Sequence, residues 1–414
     1  MIPLTGPRRS VGLPHGRPRV SDRWDVAIVG AGPAGSAAAL GALRARPDAR
    51  VLLIDAAAFP RDKVCGDGIA PHALEVLAGL GVDQDALVDG SAPITRLRLC
   101  APSGSIAART MARTGYVVPR AVFDERLVRA AVAAGAVLRR HSVRGLRVGA
   151  EDVTLDDGST AAIVIGADGA ESAVRRVLSS PTSDSINPRN STRPVVRRRL
   201  LDRVLSSGTM ALAIRGYAPA DPWPADEQLL RMTATNWPAY AWVFPIGDGR
   251  ANVGYGEILR GAPLSRAHLE ARLRALLPDA RPTGLRAHRL PLSTGRLPVA
   301  HGRVLLAGDA AALINPLTGE GIFYAVASGA LAGAAAVGPD PARTYPDALH
   351  ARLGRHLRHT DAAAALTRTP RMIDAAVAAS GRDQRVFDRF VDLGLGDGLL
   401  DARGLLGIAR HLRR

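Results

Sequence analysis

Three glycines and one acid near the start of the chain have a spacing that can do chemistry. The run Gly30-Ala31-Gly32-Pro33-Ala34-Gly35 is followed, 20 residues after its last glycine, by Asp55. Gly30 permits a tight turn, Gly32 lets a diphosphate come close to the backbone, and Gly35 allows a helix to pack closely on a strand. A helix that starts here offers unpaired N–H groups and a positive dipole end to phosphate oxygens. Asp55 would accept hydrogen bonds from a ribose. On its own the pattern suits FAD and NAD equally.

The flanking residues are those such a site needs for positioning. Asp25-Val26-Ala27-Ile28-Val29 reads as a short buried strand, an alanine-rich helix extends to about Ala45, and Val51-Leu52-Leu53-Ile54 reads as a second strand ending at Asp55. A glycine motif between a strand and a helix, with an acid closing the next strand, is the context that gives it meaning.

Two later segments choose between the cofactors. Val164-Ile165-Gly166-Ala167-Asp168-Gly169 follows a strand-like run, with Ser172 and Arg175 shortly after. Gly308-Asp309 follows Arg303-Val-Leu-Leu-Ala, and Asn315-Pro-Leu-Thr-Gly319-Glu320-Gly321-Ile322 follows in turn. With the first motif, these resemble the three FAD-contacting motifs of the p-hydroxybenzoate hydroxylase-like flavoproteins. The resemblance implies FAD, with Asp309 on the ribitol chain, the Asp168 segment beside the diphosphate, and Arg120 touching the cofactor. Pro316 and Gly319 break the chain before an Ala-rich helix. If its N-terminus faces the flavin N1–C2=O edge, the dipole favours reduced flavin by roughly 0.3–2 kcal/mol.

Two more segments narrow the family. The first is Phe59-Pro-Arg-Asp-Lys63-Val-Cys65-Gly66-Asp67-Gly68. The second is Tyr240-Ala-Trp242-Val-Phe244-Pro245, followed by Gly247-Asp-Gly249 and then Asn252-Val-Gly254-Tyr-Gly256. Both resemble the geranylgeranyl reductase family, over about residues 25–335. The resemblance implies reduction of carbon–carbon double bonds in a prenyl chain, with hydride from reduced flavin; isoprenoid diphosphates, prenylated lipids and a menaquinone-type side chain are the substrate classes. It places Cys65, Gly66 and Gly68 beside the isoalloxazine, with Cys65 as a catalytic candidate that tunes the flavin or directs protonation. The implied cofactor contacts are Gly30, Gly32, Pro33, Ala34, Gly35, Asp55, Cys65, Gly66, Gly68, Arg120, Asp168, Gly308, Asp309, Gly319, Gly321 and Ile322.

Tyr240, Trp242 and Phe244 alternate, so they share one face of a strand. A three-residue Gly-Asp-Gly turn would set Phe244 opposite Asn252, Trp242 opposite Gly254 and Tyr240 opposite Gly256. The expectation is an aromatic wall over a strip almost without side chains, forming an apolar substrate trough. Lys63 and Asp67 are expected to be surface charges, with a role in the site as the weaker alternative.

Composition bounds the rest. The chain has 414 residues, enough for two or three domains. The net charge is +16 and Lys63 is the only lysine, so the basicity is arginine. A solvated basic surface, or attraction to anionic lipid or an acidic ligand, accounts for it. No basic stripe interleaved with aromatics suggests nucleic acid. Two cysteines, Cys65 and Cys100, make neither a metal cluster nor a disulfide framework and fit a reducing cytoplasm.

The expected architecture is α/β: a Rossmann-type FAD-binding domain from residues 24–92, 116–180 and 285–344, and an antiparallel-sheet substrate domain from 93–115 and 181–284. A helical region, 345–414, completes it. Residues 1–23 read as a disordered extension and 181–207 as a basic insertion around Arg197-Arg-Arg199. Residues 399–414 could form a basic amphipathic helix on the inner face of a membrane. A flavin monooxygenase on the same fold is the rival reading, and a non-catalytic binder of prenyl lipid is a third. Halogenases of this fold resemble one another in a catalytic lysine and a Trp-x-Trp-x-Ile-Pro strand, and neither is matched here. The electron donor is left open between NAD(P)H, a ferredoxin-type protein and a reduced quinone.

Overall fold

A computed structural model describes residues 23–178, 209–260, 264–295 and 298–400. The expected extension as far as residue 22, the basic insertion and nearly all of the amphipathic C-terminal segment lie outside the described residues; Arg23, expected in the extension, begins the first strand.

Runs of β-branched residues without polar alternation demand burial on both faces, and they form the first sheet. Its parallel strands lie in the order Val304–Leu306, Thr160–Gly166, Arg23–Val29, Val51–Asp55, Val137–Arg140. The first strand pairs with the second through Val26–Val51 to Val29–Ile54, so Gly30 and Asp55 end at the same edge. The helix Pro33–Ala45 covers this sheet and packs on the helix Ile322–Ala336. A Cβ at Gly329 would lie 2.1 Å from the Ala34 carbonyl oxygen, and one at Gly333 1.9 Å from that of Ala38. Backbones this close leave room only for Gly and Ala, which is how a chain with 4% aromatics fills its core.

The second sheet has the order Thr283–Pro291, Met210–Pro219, Arg250–Ile258, Ala239–Pro245, Glu227–Met232, Pro93–Cys100, Ile106–Val117, Gly68–Ile69. All its pairs are antiparallel except Glu227–Met232 with Pro93–Cys100. Three of its strands, Gly68–Ile69, Ile106–Val117 and Thr283–Pro291, reach beyond the segments expected for a substrate domain, so this sheet draws directly on the Cys-Gly-Asp loop. The helices Pro341–Leu366, Pro370–Arg382 and Gln384–Leu395 supply the C-terminal helical region. No helix among the described residues is long and apolar enough to cross a membrane.

Candidate functional site

Two cavities meet between the sheets. The first, of about 480 Å³, is lined by Gly30, Gly32, Pro33, Ala34, Asp55, Arg61 and Asp168, among others. Gly30 has φ +99°, a backbone that side chains resist, and a Cβ there would sit 2.3 Å from the Ala167 carbonyl oxygen. At Gly35 a Cβ would lie 1.7 Å from the Gly30 carbonyl oxygen. No side chain caps the helix that starts after Gly32, so its first-turn N–H groups remain available for an anion. The Asp55 carboxylate accepts from the backbone N–H groups of Ala31 and Ala57, both at 2.9 Å, and from Arg61 at 3.2 Å. Asp168 borders the groove, but its carboxylate accepts from Ser172 Oγ and from the Ala173 N–H, where it starts a short helix.

The second cavity, of about 210 Å³, is bounded by Cys65, Gly66 and Gly68 on one side, and by Gly319, Glu320, Gly321 and Ile322 on the other. Pro33, Lys63, Arg120, Asp309 and Ala325 line both cavities and join them. Lys63 Nζ lies 3.1 Å from Asp309 Oδ2. Burial favours a neutral Asp309, yet Lys63, with His288 and Arg120 farther off, holds this carboxyl below its ordinary range. Arg120 is 3% exposed, and its guanidinium grips Asp124 at 2.6 and 2.8 Å. Gly308 packs against Ala34 and Ala325 and lines neither cavity, although its neighbour Asp309 lines both.

The aromatic strand has the expected register: Tyr240 pairs with Gly256, Trp242 with Gly254, Phe244 with Asn252. The trough, however, is displaced. A Cβ at Gly254 would fall 2.1 Å from the Trp242 indole, so that ring fills the space over Gly254, and Gly254 does not border the cavity. The open floor lies one rung on and one strand over, at Ala211, Ala213 and Gly256, where Ala213 pairs with both Gly256 and His288. Tyr240 stands on one side of that floor, and His288, Leu290 and Leu292 on the other.

This strand also clasps both loops. The Tyr240 hydroxyl donates to the Thr318 carbonyl, and a Cβ on Gly66 would lie 3.1 Å from the Phe244 ring. The loop of residues 315–320 is in turn held by Asn315, whose Oδ1 accepts from the Leu317 N–H and whose Nδ2 donates to the Leu393 carbonyl.

Asp67 and Lys63 are not the surface charges expected of them. Asp67 is fully buried at φ +61°, and its carboxylate accepts from Tyr217 at 2.6 Å, Asn252 at 2.8 Å and the Arg120 N–H at 3.3 Å. Burial raises its pKa in spite of these donors. Asn252 also donates to the Cys65 carbonyl at 2.8 Å, and Arg215 donates to it at 3.2 Å. The Cys-Gly-Asp loop is therefore moulded from behind by the second sheet. Burial pushes the Cys65 thiol up, with Arg120 opposing, so the neutral thiol faces the cavity. Sequence reasoning missed Glu320, though it stands between two quoted glycines. It also missed Ala211 and Ala213, because small residues in a strand carry no signal of what lies across from them.

These residues fit FAD: a glycine-built anion groove with a ribose acid, a joint at Asp309, and, at the apolar cavity, the N-terminus of the helix Ile322–Ala336, whose Phe323 N–H is answered by Glu320. Among the described residues no group of His, Cys, Asp or Glu could hold a metal ion.

Comparisons with known proteins agree. An FAD binding domain model matches residues 23–204. A menaquinone reductase of Mycobacterium tuberculosis is 33% identical over 377 residues, 86% of each chain. Digeranylgeranylglycerophospholipid reductase 1 of Methanopyrus kandleri is 34% identical over 76% of this chain and 80% of its own. A geranylgeranyl bacteriochlorophyll reductase-like protein of Thermoplasma acidophilum superposes with TM-score 0.71 at 21% identity, covering 95% and 96% of the two chains. Identity at this level across most of both chains, on a site built for FAD, settles the matter: the chain belongs to the geranylgeranyl reductase family of FAD-dependent oxidoreductases.

Proposed function

We propose that the chain reduces isolated carbon–carbon double bonds in the side chain of a prenylated lipid, with a menaquinone-type chain the substrate best supported. One observation carries this reading: the slot over Ala211, Ala213 and Gly256 opens onto the two loops that border the FAD site. Its floor is two strands wide and its walls stand three strand spacings apart, about 14 Å between backbones, enough for one extended prenyl chain. The most similar relatives described above have names that point to prenyl lipids.

In this reading the Gly30–Gly35 turn binds the diphosphate and Asp55 the ribose. Asp309, held ionised by Lys63, receives ribitol hydroxyls. Gly319, Gly321 and Ile322 would border the isoalloxazine, with Cys65, Gly66 and Gly68 across the cavity from them. The chemistry FAD would supply there, once reduced by NAD(P)H or a ferredoxin-type donor, is hydride for the alkene. Tyr240, Trp242 and Phe244 wall the alkene in and exclude water.

The test is mass spectrometry of products after dithionite-reduced enzyme meets geranylgeranyl diphosphate or menaquinone in detergent, without and with air. Products heavier by pairs of hydrogens are expected. Oxygen gained only in air would replace this reading with a monooxygenase. Contact of residues 399–414 with an anionic membrane would bring such a substrate to the slot; liposome flotation that is equal with and without the segment would remove that part.

A further inference from the structure

Saturating an alkene requires a proton as well as a hydride, and of the groups described so far only the Cys65 thiol, a weak acid that burial weakens further, carries one into the cavity. The cations around the apolar cavity are already engaged: Lys63 with Asp309, Arg120 with Asp124, Arg215 with Asp62. His288 is kept neutral, chiefly by burial and then by nearby Lys63. Of the carboxyls, Asp309 is paired with Lys63, Glu257 is answered by His268 and Tyr255, and Asp67 sits behind the loop and does not border the cavity. Glu320 remains. It borders the cavity, and among the described residues its partners are backbone N–H groups of Ile322 and Phe323, the latter at 2.8 Å. Its ionisable neighbours, Cys65, Tyr240 and Tyr324, are all neutral at pH 7, each pushed up by burial.

We propose that Glu320 is the acid that protonates the alkene, a role that rests on the reductase reading above. The alkene takes hydride at one carbon from the reduced cofactor. Its π electrons form the second C–H bond with the proton that leaves a Glu320 carboxyl oxygen. The alkene gains two electrons, the cofactor loses two, and the Glu320 carboxylate is reprotonated by water before the next turnover. Burial makes the reservoir workable by raising this carboxyl to about 7, against the backbone N–H groups that favour its ionised form. An acid of that strength is protonated below neutrality and deprotonated above it, so the reduction rate should be flat at low pH and fall above about pH 7.

The experiment follows single turnovers of dithionite-reduced holoenzyme with geranylgeranyl diphosphate or menaquinone between pH 5.5 and 9, on the order of the range where an acid tuned to neutrality acts. Glu320→Gln keeps an acceptor for the Phe323 N–H but carries no acidic proton. It should slow reduction by about 10²–10⁴-fold, abolish the inflection, and leave FAD content and substrate Kd unchanged. Glu320→Asp should restore part of the rate. Independently of turnover, the infrared carboxylic-acid band of wild-type holoprotein should titrate near neutrality and be missing from Glu320→Gln. An active wild type matched by Glu320→Gln in rate and pH profile, or a wild type without that band, overturns the role and leaves the reductase reading intact. A wild type that adds no hydrogen to either substrate overturns that reading, and the role with it.

Discussion

The glycine groove and the apolar slot share Lys63, Arg120 and Asp309, yet they are built by opposite means. The groove is backbone: one turn, one helix start and one acid, drawn from adjacent strands within 26 residues of sequence, Gly30 to Asp55. The slot is side chains and their absence, drawn from strands far apart in the chain, with a floor set by Ala211, Ala213 and Gly256 and a wall by Tyr240. A phosphate is the same in every cofactor, so it can be met by fixed backbone geometry. A substrate chain is selected by shape, and shape depends on what lies opposite what.

Substitutions can separate the two regions. The largest effect is expected at Gly35→Val, where even a Cβ has no room against the Gly30 carbonyl. The strain should exceed about 3 kcal/mol, and the purified protein should lack the flavin absorbance; retained FAD would mean that the groove adapts. Gly256→Leu should do the converse. The first added carbon meets Ala213 at 3.3 Å, which can give slightly, and the rest of the side chain occupies the slot. FAD content should hold while kcat/KM for a long prenyl chain falls by roughly 10–100-fold, the scale of a pocket that has lost methylene contacts. An unchanged value would place the substrate elsewhere.

Asp67→Asn probes the joint between the regions. Asparagine tolerates the positive φ, but its amide cannot accept from Tyr217, Asn252 and the Arg120 N–H together. Leaving buried donors unanswered costs about 1–3 kcal/mol, to be seen as a lower Tm of the holoprotein; an unchanged Tm would show that the cluster is not under this demand. The smallest effect concerns pH. The folded pKa of Glu320 is raised from 4.5 to about 7, so the folded state holds this proton more tightly than the unfolded chain does. The stability this contributes is complete below pH 4.5 and is lost as pH rises through about 7. Glu320→Gln should therefore melt higher relative to wild type at pH 8 than at pH 4.5, by on the order of 1 kcal/mol after screening at a half-buried site. An equal difference at both pH values would show that the carboxyl is not perturbed.

Much of this was legible in the residues themselves. The strand, turn, helix and acid around Gly30–Gly35 and Asp55 are contiguous, and each step follows from local sterics. The hairpin register of Tyr240, Trp242 and Phe244 followed from the alternation and from the Gly247–Gly249 turn. What went wrong was non-local. Asp67 looks exposed in a Gly-rich loop, and only Tyr217 and Asn252, some 150 and 185 residues away, bury it. The trough over Gly254 failed because alternation says which face an indole occupies and not which way it leans.

The sequence alone determined the cofactor groove and the sheet that carries it, because backbone turns, glycine φ angles and strand periodicity act over a few residues at a time. Only the tertiary structure decided where the open floor of the slot lies, which charges are spent on one another, and that Glu320 is left without a cation. Those outcomes depend on partners brought together by the whole fold, and desolvation and Coulomb energy are set by distances that no spacing along the chain encodes.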